Sequence, residues 1–300
     1  MALAHLHSAV DALAMWSEDR LERPPQPYRP GPTAPLSCFG PLPPLPPAPD
    51  GAASWSCPSP RARSPEDRLS IRCTPARGPR RGTLLLVPPW KIASPRLVAG
   101  YRRLFAGLGW DVWLHCPPHH LERAGGARSG EGFVTLDLAV LRATFEQLVL
   151  ELRLLAALAA PRGRVGVLGL SLGALGAALA ATAPERLDFA ALVAPPSLEA
   201  VLAETPIGRR YQRLAAAAGS PLPQPPGLLE ALAPFDPARR RPTAGRVFVA
   251  AGRYDAVSPP RGSRALAEAW GVPLRTYPRG HMTLLFLCRA LRRDLALAAS

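Results

Sequence analysis

Residues Val165 to Pro184 form a run of twenty positions without a charged side chain, and few folds accommodate such a run. About 20 apolar residues suffice to cross a bilayer, so a membrane span is one reading. The composition argues against it. Gly166, Gly169, Ser171 and Gly173 interrupt the first half, and small residues (GALGAALAA) fill the second. RVGVLGL (164–170) reads instead as a strand buried on both faces, the habit of a parallel sheet. SLGALGAALAATA continues as a helix whose small side chains suit close packing on that sheet. A strand that runs straight into a helix commits this part of the chain to a layered α/β architecture.

The rest of the sequence from Leu69 onward agrees. GTLLLVP (82–88), DVWLHC (111–116), FAALVAP (189–195), RVFVAAG (246–252) and VPLRTYP (272–278) read as further strands, and LSIRCT (69–74) as an edge strand. Helical patterns fill 95–108, 132–159 and 283–298. Alternation of this kind implies a mostly parallel sheet with helices on both faces. Residues 196–245 contain helical fragments and no strand. Inserted between two strands, they read as a small helical cap, about 197–244, over the sheet's C-terminal edge, where ligands bind in open α/β sheets.

Proline marks off the remaining segment. Seventeen of the 38 prolines lie in the first 80 residues. Residues 1–66 therefore read as a Pro-rich, partly disordered leader before a domain over 67–300. The tract PLPPLPPAP (41–49) favours extended polyproline II. The first twenty residues lack a basic start and carry Asp11, which suits a short amphipathic helix better than a signal peptide. Five cysteines without a CxxC pair argue against a disulfide framework or a zinc cluster and point to a reducing, cytoplasmic setting. The formal charge of +14 invites a nucleic-acid reading. However, Lys91 is the only lysine among 36 basic residues, no basic run of five exists, and aromatics are 6%. This is compositional bias, and nucleic acid is not expected as a partner.

The chemistry concentrates at Gly169-Leu170-Ser171-Leu172-Gly173. G-x-S-x-G between a buried strand and a helix places a serine on a sharp turn at the top of the sheet. A serine hydroxyl needs a base. His281, in PRGHMT just past the last strand, is the candidate. Asp255, in AGRYDAVSPP directly after RVFVAAG, would orient it, with Glu199 as the rival carboxylate; Asp236 in PFDP reads as a turn residue. The order Ser171, Asp255, His281 is that of one hydrolase fold. The oxyanion needs preformed N–H donors. The first is the backbone of Leu172. The second should come from VPPWKIASP, where Pro88 and Pro89 have no N–H. Trp90 is the choice and Lys91 the fallback.

With these residues in hand, the chain from about Arg68 onward resembles the α/β hydrolases. GLSLG, GRYDAVSPP and the terminal GHMT each fit that superfamily's stations, while VPPW departs from the His-Gly pair many members carry. CPSPRARSPEDRLSI, LLLVPPW and HCPPHHLER also resemble a bacterial branch of dienelactone-hydrolase-like or domain-18-like hydrolases. Dienelactone hydrolases proper use a cysteine nucleophile, so Ser171 argues against that activity here. The resemblance places HCPPHH at the pocket rim. His115, Cys116, His119 and His120 are zinc-capable residue types, but no remote ligand pair accompanies them, and neither a metal nor a cofactor is expected. Trp110 and Trp113 read as packing residues.

The function expected is hydrolysis of a carboxylic ester, or of a thioester or lipid acyl ester, through an acyl-Ser171 intermediate. The Leu- and Ala-rich cap points to a hydrophobic group in a small or lipid-like substrate. An acyltransferase or thioesterase on the same triad, a non-catalytic hydrolase-like binding protein, and an Arg-mediated peripheral contact with anionic lipid are the alternatives. No integral membrane span is expected, and the sequence does not specify an oligomeric state.

Overall fold

A computed structural model of the chain describes residues 7, 9–13, 26–44, 46–47, 51–62, 64–65, 67–224 and 226–300. Most of the expected N-terminal amphipathic helix and part of the 41–49 tract lie outside these residues; within them, 7 and 9–13 are helical. Eight strands form one sheet: β1 (Ser54–Pro58), β2 (Arg68–Thr74), β3 (Gly82–Val87), β4 (Trp110–Cys116), β5 (Arg164–Leu170), β6 (Phe189–Val193), β7 (Val247–Gly252) and β8 (Leu274–Tyr277). Their order is β1-β2-β4-β3-β5-β6-β7-β8. The β1–β2 and β2–β4 pairs are antiparallel, and every pair from β4–β3 to β7–β8 is parallel.

The helices are α1 (Ala99–Gly107), α2 (Leu138–Ala159), α3 (Leu172–Ala180), α4 (Leu198–Glu204), α5 (Pro206–Ala217), α6 (Gly227–Leu232), α7 (Pro260–Ala269), α8 (His281–Leu287) and α9 (Arg289–Ala299). Alternate side chains of the central strands feed two cores. Leu85, Val87 and Val167 pack with Leu148 and Leu152 of α2, Leu175 of α3 and Leu266 of α7. Leu84, Leu86 and Leu168 pack on the other face with Tyr101 and Phe105 of α1, Leu284 of α8 and Leu291 of α9. Trp110 and Trp113 are buried, as expected of packing residues.

Three expectations are revised. LSIRCT is not an edge strand, because β1 flanks it in an antiparallel ladder. The pattern over 132–159 becomes a helix only at Leu138. Asp137 caps it by accepting from Ala139 and Val140 N–H. Just before it, Arg29 exchanges backbone hydrogen bonds with Leu136 and Leu138. The C-terminal helix breaks at Cys288, whose extended backbone (ψ 100°) separates α8 from α9.

The described part of the leader is built into the domain. A proline-rich chain offers carbonyls but few N–H groups, so its acceptors must find donors elsewhere. Arginines supply them. Arg142 donates to the carbonyls of Pro32, Ala34 and Pro35, and Arg153 to those of Cys38 and Gly40. Leu36 and Cys38 are buried as a result. This gives part of the arginine content a structural role that composition alone does not show.

Helices α4–α6 lie between β6 and β7, where the inserted helical segment is expected. Their apolar faces meet the leader and the entry to α2: Tyr28, Val134, Leu138, Val201, Ile207 and Leu228 line one cleft. Among the described residues, no helix is long and apolar enough to cross a membrane.

Candidate active site

Strand order turns around at β3, which has β4 on one side and β5 on the other. Crevices at such switch points, beyond the strands' C-terminal ends, are where open α/β sheets bind ligands. The loop after β3 and the turn after β5 are thereby neighbours: Val87 pairs with Gly169 in the ladder.

Ser171 occupies the turn between β5 and α3 with φ 53° and ψ −122°. A non-glycine residue at positive φ is strained and persists only where its surroundings enforce it. The flanking glycines show how. A Cβ on Gly169 would lie 2.4 Å from Ala174 Cα, and one on Gly173 would lie 2.4 Å from the Pro88 carbonyl oxygen. The strand, turn and helix can close this tightly only with glycine at both positions. Ser171 N–H donates to Val193 O at 2.8 Å, which ties the turn to β6. As the first residue of α3, Leu172 has an N–H without an intrahelical acceptor.

Asp255 and His281 meet across the loops after β7 and β8. His281 Nδ1 donates to Asp255 Oδ2 at 2.7 Å. The other carboxylate oxygen accepts from Val257 and Ser258 N–H at 2.9 and 2.7 Å, which fixes its orientation. All three expected catalytic side chains are buried: Ser171 8%, Asp255 6% and His281 4% exposed. Burial alone lowers an imidazole's pKa. Here the Asp255 carboxylate, helped by Asp11, outweighs it, so His281 is raised above its ordinary 6.5. Asp255 and His281 are thus joined directly, whereas no hydrogen bond links Ser171 Oγ to His281, a contact that tightens in many enzymes only with substrate bound.

The rival carboxylates are occupied elsewhere. Glu199 holds Arg261 at 2.7 and 2.8 Å, and Asp236 accepts from Ala238 N–H in the turn expected of it.

The two candidate oxyanion donors after β3 have different surroundings. Lys91 N–H donates to His120 Nε2 at 3.1 Å and is therefore engaged. Trp90 sits one residue earlier, with its indole N–H on Gly130 O at 2.8 Å. His120 Nδ1 donates to Pro118 O at 2.9 Å, so its Nε2 carries the lone pair that Lys91 requires. Burial depresses His120 to about 4 and keeps it neutral.

The placement of HCPPHH at a rim is corrected accordingly for three of its residues. His115, Cys116 and His120 are buried. His115 Nε2 donates to Glu151 at 2.7 Å, and Cys116 Sγ donates to His120 O at 3.0 Å. His119 is half-buried and in the left-handed region (φ 64°). Glu151, buried completely, also accepts two bonds from Arg123 at 2.8 Å and one from Ser59 at 2.6 Å. Burial opposes its ionisation, but Arg123 and His115 prevail and hold it near 2. No group of three metal-ligating side chains occurs among the described residues.

A fold of this topology, with a strained serine on the strand–helix turn, defines the α/β-hydrolase class. The family model described as Serine hydrolase matches residues 137–284, which include Ser171, Asp255 and His281. The chain has the α/β-hydrolase fold. Its fold is similar to that of a monoacylglycerol lipase from Paleococcus ferrophilus, at 18% identity over 76% of this chain and 96% of that chain, with a TM-score of 0.53. A carboxyl esterase from Bacillus coagulans is similar at 14% identity over 83% and 97%, TM-score 0.53. An acetyl xylan esterase from Paenibacillus sp. R4 follows at 15% over 77% and 78%, TM-score 0.52. A search among curated proteins gives no match.

Proposed function

We propose that this protein cleaves a carboxylic ester through an acyl-Ser171 intermediate. The observation that carries the reading is the joint presence of the strained Ser171 turn and the 2.7 Å Asp255–His281 bond at one sheet edge. His281 Nε2 takes the proton as Ser171 Oγ attacks the carbonyl carbon. The oxyanion is met by the N–H groups of Leu172 and Trp90. The proton then passes to the alkoxide leaving group, and the acyl-serine forms. Water attacks that ester, gives its proton to His281, and releases the acid with Ser171 restored.

Asp255 holds the imidazole's Nδ1–H and stabilises the cation formed in each half-reaction. Lipase and esterase names among proteins of similar fold support an ester as the substrate class. Five free cysteines fit a cytoplasmic location.

The test is active-site labelling with a fluorophosphonate beside hydrolysis of p-nitrophenyl esters. Native protein should be labelled and active, and Ser171→Ala should be neither. Native protein that is not labelled overturns the assignment.

A further inference from the structure

The leader reaches the catalytic histidine. Asp11 is completely buried and 270 residues distant from His281 in sequence. Its carboxylate accepts His281 N–H at 2.7 Å, Met282 N–H at 3.0 Å and Ala256 N–H at 3.3 Å. The first two are the opening N–H groups of α8, which have no partner within a helix. The third follows Asp255. Gly280, at the N-cap, has no side chain with which to accept, so a residue from the far end of the chain does so.

The fit is close. A Cβ on Gly280 would lie 2.7 Å from Asp11 Oδ2 and 2.9 Å from His7 O. His7, four residues before Asp11 and so on the same helical face, shares a 2.9 Å hydrogen bond with Thr283 Oγ1. Its ring also stacks on Tyr254, the neighbour of Asp255, at 6.2 Å between centroids.

We propose that Asp11 is a positioning residue for His281, joining the turn that bears the imidazole to the loop that bears Asp255 through one shared carboxylate. This rests on the triad reading above. Three N–H donors converge on two oxygens, so the separation of the two loops is set by a single rigid group. Charge adds a second effect. Asp255 and Asp11 are the carboxylates facing His281; His7 of the leader stacks on Tyr254 of the Asp255 loop, and Arg253 and Arg279 lie on the adjoining turns. A second carboxylate favours the imidazolium that forms when Ser171 gives up its proton.

Asp11→Asn in the full chain tests this. An amide can accept with only one of its two atoms, and its NH2 would face N–H donors. The first readout is the NMR titration of the imidazole, with His281 identified by the signal lost in His281→Gln. The His281 midpoint should move to lower pH in Asp11→Asn. The acid limb of kcat/KM for p-nitrophenyl butyrate should move the same way. At optimum pH, kcat should fall about ten- to a hundredfold while KM stays within about twofold. Leu13→Ala, at an exposed position of the same segment, should match the native protein. A folded Asp11→Asn whose His281 titration superposes on the native curve overturns the proposal. If Asp11→Ala does not fold, Asp11→Asn still decides. If the native protein is neither labelled nor active, the triad reading falls, yet the titration still reports whether Asp11 acts on His281.

Discussion

His120 Nε2 accepts the backbone N–H of Lys91 at 3.1 Å, and this bond holds the turn that carries Trp90. His120→Ala removes the acceptor and frees the turn. If the Trp90 N–H serves the oxyanion, kcat should fall toward the 10²–10³-fold loss typical of a missing donor, on the order of 3–4 kcal/mol. His120→Gln places an amide oxygen near the lost nitrogen and should restore part of the rate. Equal kcat for native protein and His120→Ala would count against Trp90.

The raised pKa of His281 fixes the sign of the pH response. If His281 is the base, it must be neutral to act, so kcat/KM should climb with pH through a midpoint above the ordinary value of 6.5. Asp255→Asn removes the carboxylate that raises it, and the midpoint should drop while kcat falls steeply. A native midpoint below 6.5 would contradict the geometry. For stability the direction is opposite: the contribution of protonated His281 is present below 6.5 and lost as pH rises through the folded pKa.

Glu151 answers to acid instead. Its depressed pKa, near 2 against an ordinary 4.5, means that its contribution is complete above about 4.5 and disappears as pH falls toward 2. Glu151→Ala should leave Arg123 buried without this partner, a loss of about 3–5 kcal/mol, or a Tm lower by on the order of 10 °C. Thermal unfolding by circular dichroism at pH 7 and at pH 3 reads both effects. A variant as stable as the native protein at pH 7 would show that the network contributes little.

Arg153 tests the attachment of the leader. It is buried, holds Glu185 at 2.6 Å and supplies donors to the carbonyls of Cys38 and Gly40. Arg153→Ala strands a carboxylate and two acceptors, so the urea midpoint should fall by the equivalent of about 3–5 kcal/mol. Limited proteolysis should then cut residues 26–44 faster. Unchanged cleavage would show that the other contacts suffice.

What could be read from the sequence was local. Ser171 announces itself because its turn needs Gly169 and Gly173 within two residues, Asp255 follows the apolar run of β7, and His281 falls in the glycine-bearing loop PRGHMT after the last strand. The helical segment between β6 and β7 is visible for the same reason. The parts that escaped depend on distant partners. β1 (SWSCP) has little alternation and ends in proline, so only its ladder with β2 makes it a strand. His120 resembles a metal or rim histidine until the N–H of Lys91 is seen beside it. Asp11 looks like a surface charge on a short amphipathic helix, and nothing nearby in sequence says that it is buried.

The join between Asp11 and α8 also sets a timetable. A chain grows from its N-terminus at roughly 5–20 residues per second, so Asp11 waits while the intervening residues are made. β5 and α3, with Ser171 between them, can assemble during that interval. The entropic penalty for closing so long a loop rises only logarithmically with its length, and the sheet meets most of it by bringing the ends together. On the proposed triad, Ser171 is therefore present in the nascent protein before its base is seated. With that triad, hydrolytic competence would arrive last, once β8, α8 and α9 have emerged, and a chain arrested short of them would carry an inert serine.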